Sequence, residues 1–419
     1  MTDRTRIRKR AGKLLSDSAW SVAGLVLMNA AAQFAVYPVW DRRLGNEAYG
    51  NILYLIAMMN ILAVSVGSAA NYARMTASAR GETGNRTYNR ILLCASALAA
   101  PYMTVVCLLS DTGIRPAETA LLILLTVTTM WRFYADVEYR LSLNYKGYFV
   151  YYLAIACGYG IGIGLFLLTG LWPLALLPGE AAGLALVLFR GHVLRDNGAE
   201  KVSEETKTVI HAVATLVLTN LISNLIYNGD RVLLKLLMDG TAVAVYYQAS
   251  LLGKTMSLVS TPLNSVLIGY LARWQRGLNR KLMHVVTLCA LAAAAAGTAA
   301  CTLASHILIR LLYPESYETV RAFFWIANAA QVTYFVSNIV TTVLLRFFDL
   351  KYQVYINTVY AALFLLLCIP ATLLWKLNGF CLALLAVCAA RLAAALWLGY
   401  RGICRQERSK RNGPEGSAG

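Results

Sequence analysis

The sequence predicts an all-α polytopic membrane protein, and three observations lead to that fold class. Of its 419 residues, 58% are hydrophobic and only 14% are charged, whereas soluble domains carry about 25% charged residues. The mean hydropathy is +0.56. The apolar residues form separate blocks, and the basic residues between those blocks are abundant in one connection and sparse in the next.

The apolar blocks are about 20 residues long, the length that a helix needs to cross a hydrocarbon core of about 30 Å. Cutting the chain at charged or turn-rich stretches gives about twelve such spans. We predict them at 16–39, 50–70, 90–110, 118–139, 148–168, 171–189, 208–229, 241–268, 283–304, 320–343, 353–375 and 378–399. The short connections leave no room for a soluble catalytic domain, an ATPase domain or a large receptor ectodomain.

Lys and Arg are concentrated in alternate connections, as in the N-terminal tail and the segment 71–90. Short cytoplasmic loops retain positive charge, and translocated loops carry little of it. We therefore predict an even number of spans with both termini in the cytoplasm. The same distribution accounts for the net charge of +17 without a nucleic-acid partner.

Three local matches, in the same order along both halves, indicate an internal duplication. For example, Asp41-Arg42-Arg43-Leu44 follows the first span and Asp230-Arg231-Val232-Leu233 follows the seventh. Because each match stays on its own side of the membrane, the repeat is parallel, with a pseudo-twofold axis along the membrane normal. We predict a basic cytoplasmic tail (1–15), an N-terminal six-helix bundle (16–189), a cytoplasmic linker (190–207), a C-terminal six-helix bundle (208–400) and a basic cytoplasmic tail (401–419).

Two six-helix bundles related in this way can surround a central cavity and expose it alternately to each side of the membrane. The sequence therefore predicts a transport protein. An integral-membrane enzyme is disfavoured, because the translocated connections are short and carry no catalytic constellation. The four histidines and nine cysteines lack the spacing of a metal site, so no metal or other cofactor is expected.

Short motifs in both halves resemble those of one transporter family. Residues 44–50, Leu-Gly-Asn-Glu-Ala-Tyr-Gly, are similar to its LG-x-E-x-YG signature. Asp230-Arg231 with the later 245–249, and the segment 311–317, are similar to its DR…GxYxxA and LLYGxxY patterns. The family is that of the Wzx-type O-antigen and polysaccharide flippases, a branch of the multidrug/oligosaccharidyl-lipid/polysaccharide exporter superfamily.

This resemblance implies a substrate, a direction and a location. The substrate is an undecaprenyl-pyrophosphate-linked oligosaccharide, the repeat unit of an O-antigen, capsule or exopolysaccharide. It moves from the cytoplasmic to the periplasmic leaflet of a bacterial cytoplasmic membrane by alternating access. The implied partners are membrane lipids and the polysaccharide polymerase machinery, and a monomer is sufficient. An ion-coupled multidrug or small-molecule exporter of the same superfamily and a major-facilitator-type carrier stay open as alternatives.

Three cations fall inside predicted spans and are the candidate contacts for an anionic headgroup: Lys254, Arg132 and Arg391. A charge near mid-bilayer costs about 2.5–3.5 kcal/mol on insertion scales, so it is retained mainly where it has a role. An arginine fork suits a pyrophosphate, and lysine serves as a point charge. Snorkelling to the membrane surface is the alternative for Lys254 and Arg391.

Two carboxylates are candidates for ion coupling or for charge pairing. Glu180 is predicted near the centre of the sixth span, where a proline and a glycine would break the helix. It could bind H⁺ or Na⁺, or it could neutralise a buried cation such as Lys254 or Arg391. Asp136 follows Arg132 by four residues, so these two side chains could pair on one helix face.

Charged residues at matching periplasmic ends of spans one and seven are candidates for an outer gate: Asp41, Arg42, Asp230 and Arg231. Ordinary interfacial charges are the alternative. Tyr148, Tyr151 and Tyr152 open the fifth span, a position typical of the aromatic belt at the membrane surface. Glycines at every second position of 158–164 predict close packing of that span against a neighbour.

Overall fold

The computed structural model describes residues 19–80, 84–195, 204–272, 279–345, 347 and 351–411. The predicted basic tail at 1–15 and the residues beyond 411 of the tail at 401–419 lie outside these ranges, as does the middle of the linker at 190–207. The regular elements of the described residues are helices. The predicted all-α class is confirmed.

The chain divides into two compact units, 1–244 and 245–419. The helices of the first unit are α1 (Ala19–Leu44), α2 (Asn46–Ala79), α3 (Arg86–Leu109), α4 (Pro116–Leu141), α5 (Tyr145–Thr169), α6 (Leu177–Arg190) and α7 (Glu204–Leu237). Helix α8 (Gly240–Ala272) begins just before the boundary, and the second unit continues with α9 (Arg280–Leu312), α10 (Phe324–Leu345) and α11 (Lys351–Arg411). Each predicted span, as far as the structure describes it, falls mainly on helical residues.

Eight helices among the described residues are long and apolar enough to cross a membrane. One of them, the stretch Tyr355–Cys404, lies within α11, and α11 covers both of the last two predicted spans. It is interrupted at Trp375 and Lys376, where Lys376 has φ of +50° and ψ of −137°. The interruption falls at the predicted boundary between 353–375 and 378–399. The multi-pass membrane class is therefore confirmed as well.

Helix α1 contains a π-helical turn, Ala32–Val36, and continues past its predicted end to Leu44. Pro38 follows this turn and has no backbone N–H to donate to the carbonyl of Phe34, which favours a locally widened helix. Gly45 ends the helix with φ of +83°, a conformation that residues with a Cβ rarely adopt. Helix α2 begins directly after it.

Several small residues of α2 lie in one buried cluster: Ala63, Ala69, Ala70, Ala73 and Ala77. Such residues let helix backbones approach closely. At Gly67, a Cβ would lie 2.4 Å from the carbonyl oxygen of Met130 in α4. Tyr88, Tyr134 and Val213 complete this core from α3, α4 and α7. In the second unit, the core lies between α9, α10 and α11.

Helix α7 belongs to the first unit, whereas the sequence assigns it to the C-terminal bundle. The Asn220 side-chain amide donates to the backbone carbonyl of Ser65 in α2 over 3.3 Å, and that of Asn224 donates to the Ser65 hydroxyl over 3.0 Å. The division of the chain into two bundles of six helices, with its boundary in the linker, stays a prediction.

Candidate functional site

Buried charged side chains gather at separate places in the two units. In the first unit, Arg132 of α4 forms an ion pair with Glu180 of α6. Only 4% of Arg132 and 3% of Glu180 is exposed. The Tyr159 hydroxyl of α5 donates to the second carboxylate oxygen, Oε1, over 2.7 Å. One carboxylate thus joins three helices.

The position of Glu180 differs from the prediction. Residues 171–189 are not one continuous helix, because a 3₁₀ turn, Trp172–Ala175, precedes the 14-residue helix α6. Pro178 lies in the first turn of α6, where its missing N–H removes no intrahelical hydrogen bond. Glu180 lies in the same turn, where the helix dipole favours a negative charge. The proline therefore begins a helix here and does not break one.

The second carboxylate, Asp136, lies at the turn between two helical segments of α4 and has different partners. Its oxygens accept from the Asn71 amide, from Arg140 over 3.1 Å, and from the hydroxyls of Tyr148 and Tyr152 over 3.1 and 3.0 Å. The predicted pairing of Asp136 with the arginine four residues earlier is therefore wrong, because that arginine points to α6. Tyr148 and Tyr152 are each 1% exposed, so they pack inside the protein and do not face lipid headgroups as side chains of an aromatic belt do.

The glycines of α5 explain how these helices come so close together. A Cβ at Gly158 would lie 2.5 Å from the Cα of Gly179, and a Cβ at Gly162 would lie 2.3 Å from the carbonyl oxygen of Ala175. Gly160, in contrast, has no atom within 4 Å of its Cβ position. The close packing predicted from the glycine spacing is therefore present at Gly158 and Gly162 and absent at Gly160.

Gly158→Leu is expected to destabilise the first unit by about 1–3 kcal/mol, the usual cost of overpacking a filled core. Helices α5 and α6 would have to separate, and the contact between Tyr159 and Glu180 would weaken. Thermal unfolding in detergent measures this change. Gly160→Leu is the matched control because its Cβ meets open space; an equal loss of stability in both variants would contradict the prediction.

In the second unit, Arg391 of α11 is 4% exposed and is held by neutral groups. Its Nη2 donates to the side-chain oxygens of Asn338, over 2.7 Å, and Asn357, over 3.0 Å. Its Nη1 lies 3.4 Å from the backbone carbonyl oxygen of Tyr334. The rings of Tyr334 and Tyr360 lie 4.4 and 5.5 Å from the guanidinium carbon. We call these four residues the Arg391 cage.

No carboxylate in the described part of the chain pairs with Arg391. Its Nε is buried and makes no hydrogen bond there. Asn338 and Asn357 are both partly exposed, so the cage lies just beneath the surface. Arg132 and Arg391 are thus buried to the same extent, but within the described residues only Arg132 is paired with a carboxylate.

Lys254 of α8 is also buried, at 7% exposed. Its Nζ lies 5.8 Å from the centre of the Tyr246 ring, and the Tyr246 hydroxyl accepts from the Gln331 amide over 2.8 Å. Tyr246 also lies within electrostatic range of Tyr360 of the Arg391 cage. The second unit therefore contains two buried cations, Lys254 and Arg391, and each lies beside at least one tyrosine ring.

The predicted gate residues lie on α1 and α7 of the first unit. Asp41 and Asp230 are each 5% exposed and Arg231 is 8% exposed, whereas Arg42 is exposed. Tyr37, one helical turn before Asp41, lies within electrostatic range of Arg231. The structure therefore brings these two helix ends near each other, and a gating role for them stays a prediction.

Asn338, Asn357 and Tyr159 were not singled out from the sequence. A signal for the two asparagines was present, because amides in apolar spans are costly unless they are hydrogen-bonded. No sequence signal joins Tyr159 to Glu180, since their contact depends on how α5 and α6 pack.

This helical fold is similar to that of solved membrane transporters. No protein-family model matches the sequence, and no match was found among curated protein sequences. The lipid II flippase MurJ, in an inward closed conformation, aligns with a TM-score of 0.66 at 13% identity, over 94% of this chain and 89% of MurJ.

Two multidrug transporters have the same fold. An inward-facing multidrug resistance MATE family transporter of the MOP superfamily aligns with a TM-score of 0.61 at 12% identity, over 94% of this chain and 100% of the transporter. The Vibrio cholerae MATE transporter VcmN, in its bent form, aligns with a TM-score of 0.56 at 13% identity, over 96% of this chain and 99% of VcmN. At these identities, the likeness establishes the fold.

Proposed function

We propose that this chain is a flippase that moves an undecaprenyl-pyrophosphate-linked oligosaccharide from the cytoplasmic to the outer leaflet by alternating access. In this proposal, it works in the bacterial cytoplasmic membrane with both termini in the cytoplasm, and a monomer suffices. The fold that it shares with a lipid II flippase supports the proposal. The observation that carries it is the buried, carboxylate-free site of Arg391.

A buried cation without a counter-charge is costly, because its desolvation is not offset by an ion pair. The neutral partners of Arg391 and the two tyrosine rings reduce this cost without cancelling the charge. A pyrophosphate would supply the missing negative charge, and a guanidinium matches phosphate oxygens with two parallel hydrogen bonds. The proposal requires a state of the transport cycle in which the headgroup reaches Nε past the partly exposed asparagines and replaces one of them at Nη2, the nitrogen that forms a fork with Nε.

The other predicted charges take different roles in this proposal. Lys254, in the same unit, serves as a second cation for the headgroup. Arg132 is held by Glu180, so it contacts the headgroup only if that pair opens. Opening of the pair on protonation of Glu180, or on Na⁺ binding, would be the coupling step. Asp136 already accepts four hydrogen bonds and is assigned to holding the helices together.

Export of small molecules or drugs is the second candidate, because MATE family multidrug transporters share the fold. Many such compounds are cations, and buried Arg391 and Lys254 would repel them. An anionic or neutral compound is compatible with both residues. The nature of the transported molecule therefore separates the two candidates.

Transport in proteoliposomes tests the proposal. The probe is undecaprenyl pyrophosphate carrying a fluorescent oligosaccharide, and a membrane-impermeant quencher reports the labelled sugar on the outer surface. Time-dependent movement that depends on the protein supports the flippase. If the labelled glycolipid does not move and the same vesicles export ethidium, the flippase proposal is wrong and the drug exporter replaces it.

A further inference from the structure

Helix α10 carries polar, partly exposed residues along one side of its second half. They recur at intervals of three, four and four residues: Gln331, Tyr334, Asn338 and Thr342. At about 100° per residue, these four positions fall within an arc of about 80°. Val332, Val336 and Val340 belong to the apolar core of the second unit and lie on the other side of the helix. We call the four polar residues the α10 polar face.

The first residue of this face, Gln331, lies beside Lys254 of α8. Its amide donates to the Tyr246 hydroxyl over 2.8 Å, and the Lys254 Nζ lies 5.8 Å from the centre of the Tyr246 ring. Helices α8 and α10 come close together at Gly253, where a Cβ would lie 2.7 Å from the Cβ of Gln331. The Gly253 amide also donates to the side-chain oxygen of Asn328 over 2.8 Å. The polar face therefore begins at the level of Lys254.

The next two residues of the face contact Arg391 of α11. Its Nη2 donates to the Asn338 side-chain oxygen over 2.7 Å, and the centre of the Tyr334 ring lies 4.4 Å from the guanidinium carbon. At a rise of 1.5 Å per residue, Gln331 and Asn338 are about 10 Å apart along the helix axis. One side of α10 thus connects the surroundings of the two buried cations of the second unit over about two helical turns.

The charge of the neighbouring helices suits an anion on this face. Helices α8, α10 and α11 contain one acidic residue, Glu407, which lies near the end of α11. A phosphate between Lys254 and Arg391 would therefore meet no carboxylate of these helices, and the amide groups of Gln331 and Asn338 are hydrogen-bond donors. A polar, partly exposed side on an apolar membrane helix is typical of a helix that lines a hydrated space.

We propose that the α10 polar face is the route by which the pyrophosphate passes from Arg391 to Lys254, with the Gln331 amide as the contact between the two cations. This inference rests on the proposed flippase function and adds the route of the headgroup within the second unit. In the predicted topology, α10 runs from the outer side to the cytoplasmic side, so Asn338 and Arg391 lie nearer the cytoplasm than Gln331 and Lys254. Arg391 receives the headgroup, and Lys254 releases it towards the outer leaflet.

Gln331→Glu tests this route, because it places a negative charge between the two cations with little change in side-chain size. In the proteoliposome assay with the fluorescent glycolipid, the maximal rate is expected to fall about tenfold or more, since like charges repel strongly where water is scarce. The KM is expected not to rise, because Arg391 still receives the headgroup. Gln353→Glu is the matched control. It makes the same change at a partly exposed residue of α11 that is not part of the α10 polar face, and it is expected to transport like the wild type.

Cysteine labelling gives a second measurement that does not depend on the glutamate variant. In a background without exposed native cysteines, Gln331→Cys and Thr342→Cys are expected to react with an anionic, membrane-impermeant thiol reagent faster than Leu291→Cys of α9. Leu291 is 53% exposed, but its exposed neighbour Leu288 is also apolar. Inorganic pyrophosphate at about twice its Kd is expected to slow the labelling of Gln331→Cys about threefold and to leave that of Leu291→Cys unchanged.

The outcomes separate this inference from the proposed function. If the wild type moves no glycolipid, the flippase proposal and this inference both fail. If the wild type moves it and Gln331→Glu transports as well as Gln353→Glu, the flippase stands and the route along α10 is wrong. The route is also wrong if Gln331→Cys reacts as slowly as Leu291→Cys, or if pyrophosphate does not slow its labelling.

Discussion

Arg391→Gln is expected to lower glycolipid transport by about 10- to 100-fold, the effect of losing charge-assisted hydrogen bonds to a phosphate. Its thermal stability in detergent is expected to stay the same or to rise. Arg391 is buried without a carboxylate, so its removal relieves an unfavourable charge. A glutamine amide can still donate to Asn338 or Asn357. Transport in proteoliposomes and thermal unfolding measure the two effects separately.

Two further variants make this prediction specific. Arg391→Lys keeps the charge without the guanidinium fork and is expected to retain partial transport. Arg401→Gln removes an exposed arginine from the same helix and is expected to leave transport unchanged. If Arg391→Gln transported normally, or if it lost transport only together with its fold, the headgroup assignment would be wrong.

Glu180→Gln is expected to have the opposite effect on stability. It leaves Arg132 buried beside a neutral amide, and breaking a buried pair from one side typically costs about 3–5 kcal/mol. The Tyr159 hydroxyl keeps an acceptor, so the loss comes mainly from the uncompensated guanidinium. Thermal or denaturant unfolding in detergent measures the change.

A double-mutant cycle separates the pair from either residue alone. Arg132→Gln in the Glu180→Gln background removes the unpaired charge and is expected to recover a large part of the lost stability. If the double variant were as unstable as the sum of the single variants, the pair would not be the source of the loss. Transport by the double variant also tests ion coupling through Glu180, since neither residue can then exchange a proton.

Hydropathy was sufficient to place the helices, because the length of an apolar block reflects the thickness of the membrane. It was less informative where a helix is broken inside one apolar block. The block 171–189 contains a 3₁₀ turn and a short helix, and both are as apolar as a continuous span. The position of Glu180 therefore could not be predicted from hydropathy alone.

Sequence reasoning identified the buried charges but not their partners. Arg132, Lys254 and Arg391 are all buried, as their depth within the spans suggested. The partner of Arg132 is 48 residues away along the chain, and helix spacing predicts only neighbours three or four residues apart. The cage around Arg391 likewise combines two helices. Such pairings depend on tertiary packing, which one sequence does not reveal.

The interruption of α11 gives the Arg391 cage a mechanical consequence. Asn357 and Tyr360 precede Trp375 and Lys376 in the chain, and Arg391 follows them. The guanidinium therefore connects the two parts of α11 that lie before and after this interruption. It also contacts α10 through Asn338. A phosphate that binds Arg391 in place of these contacts would remove the connection between the two parts of α11. Binding of phosphate to Arg391 would then be coupled to a change in the angle between the two parts of α11.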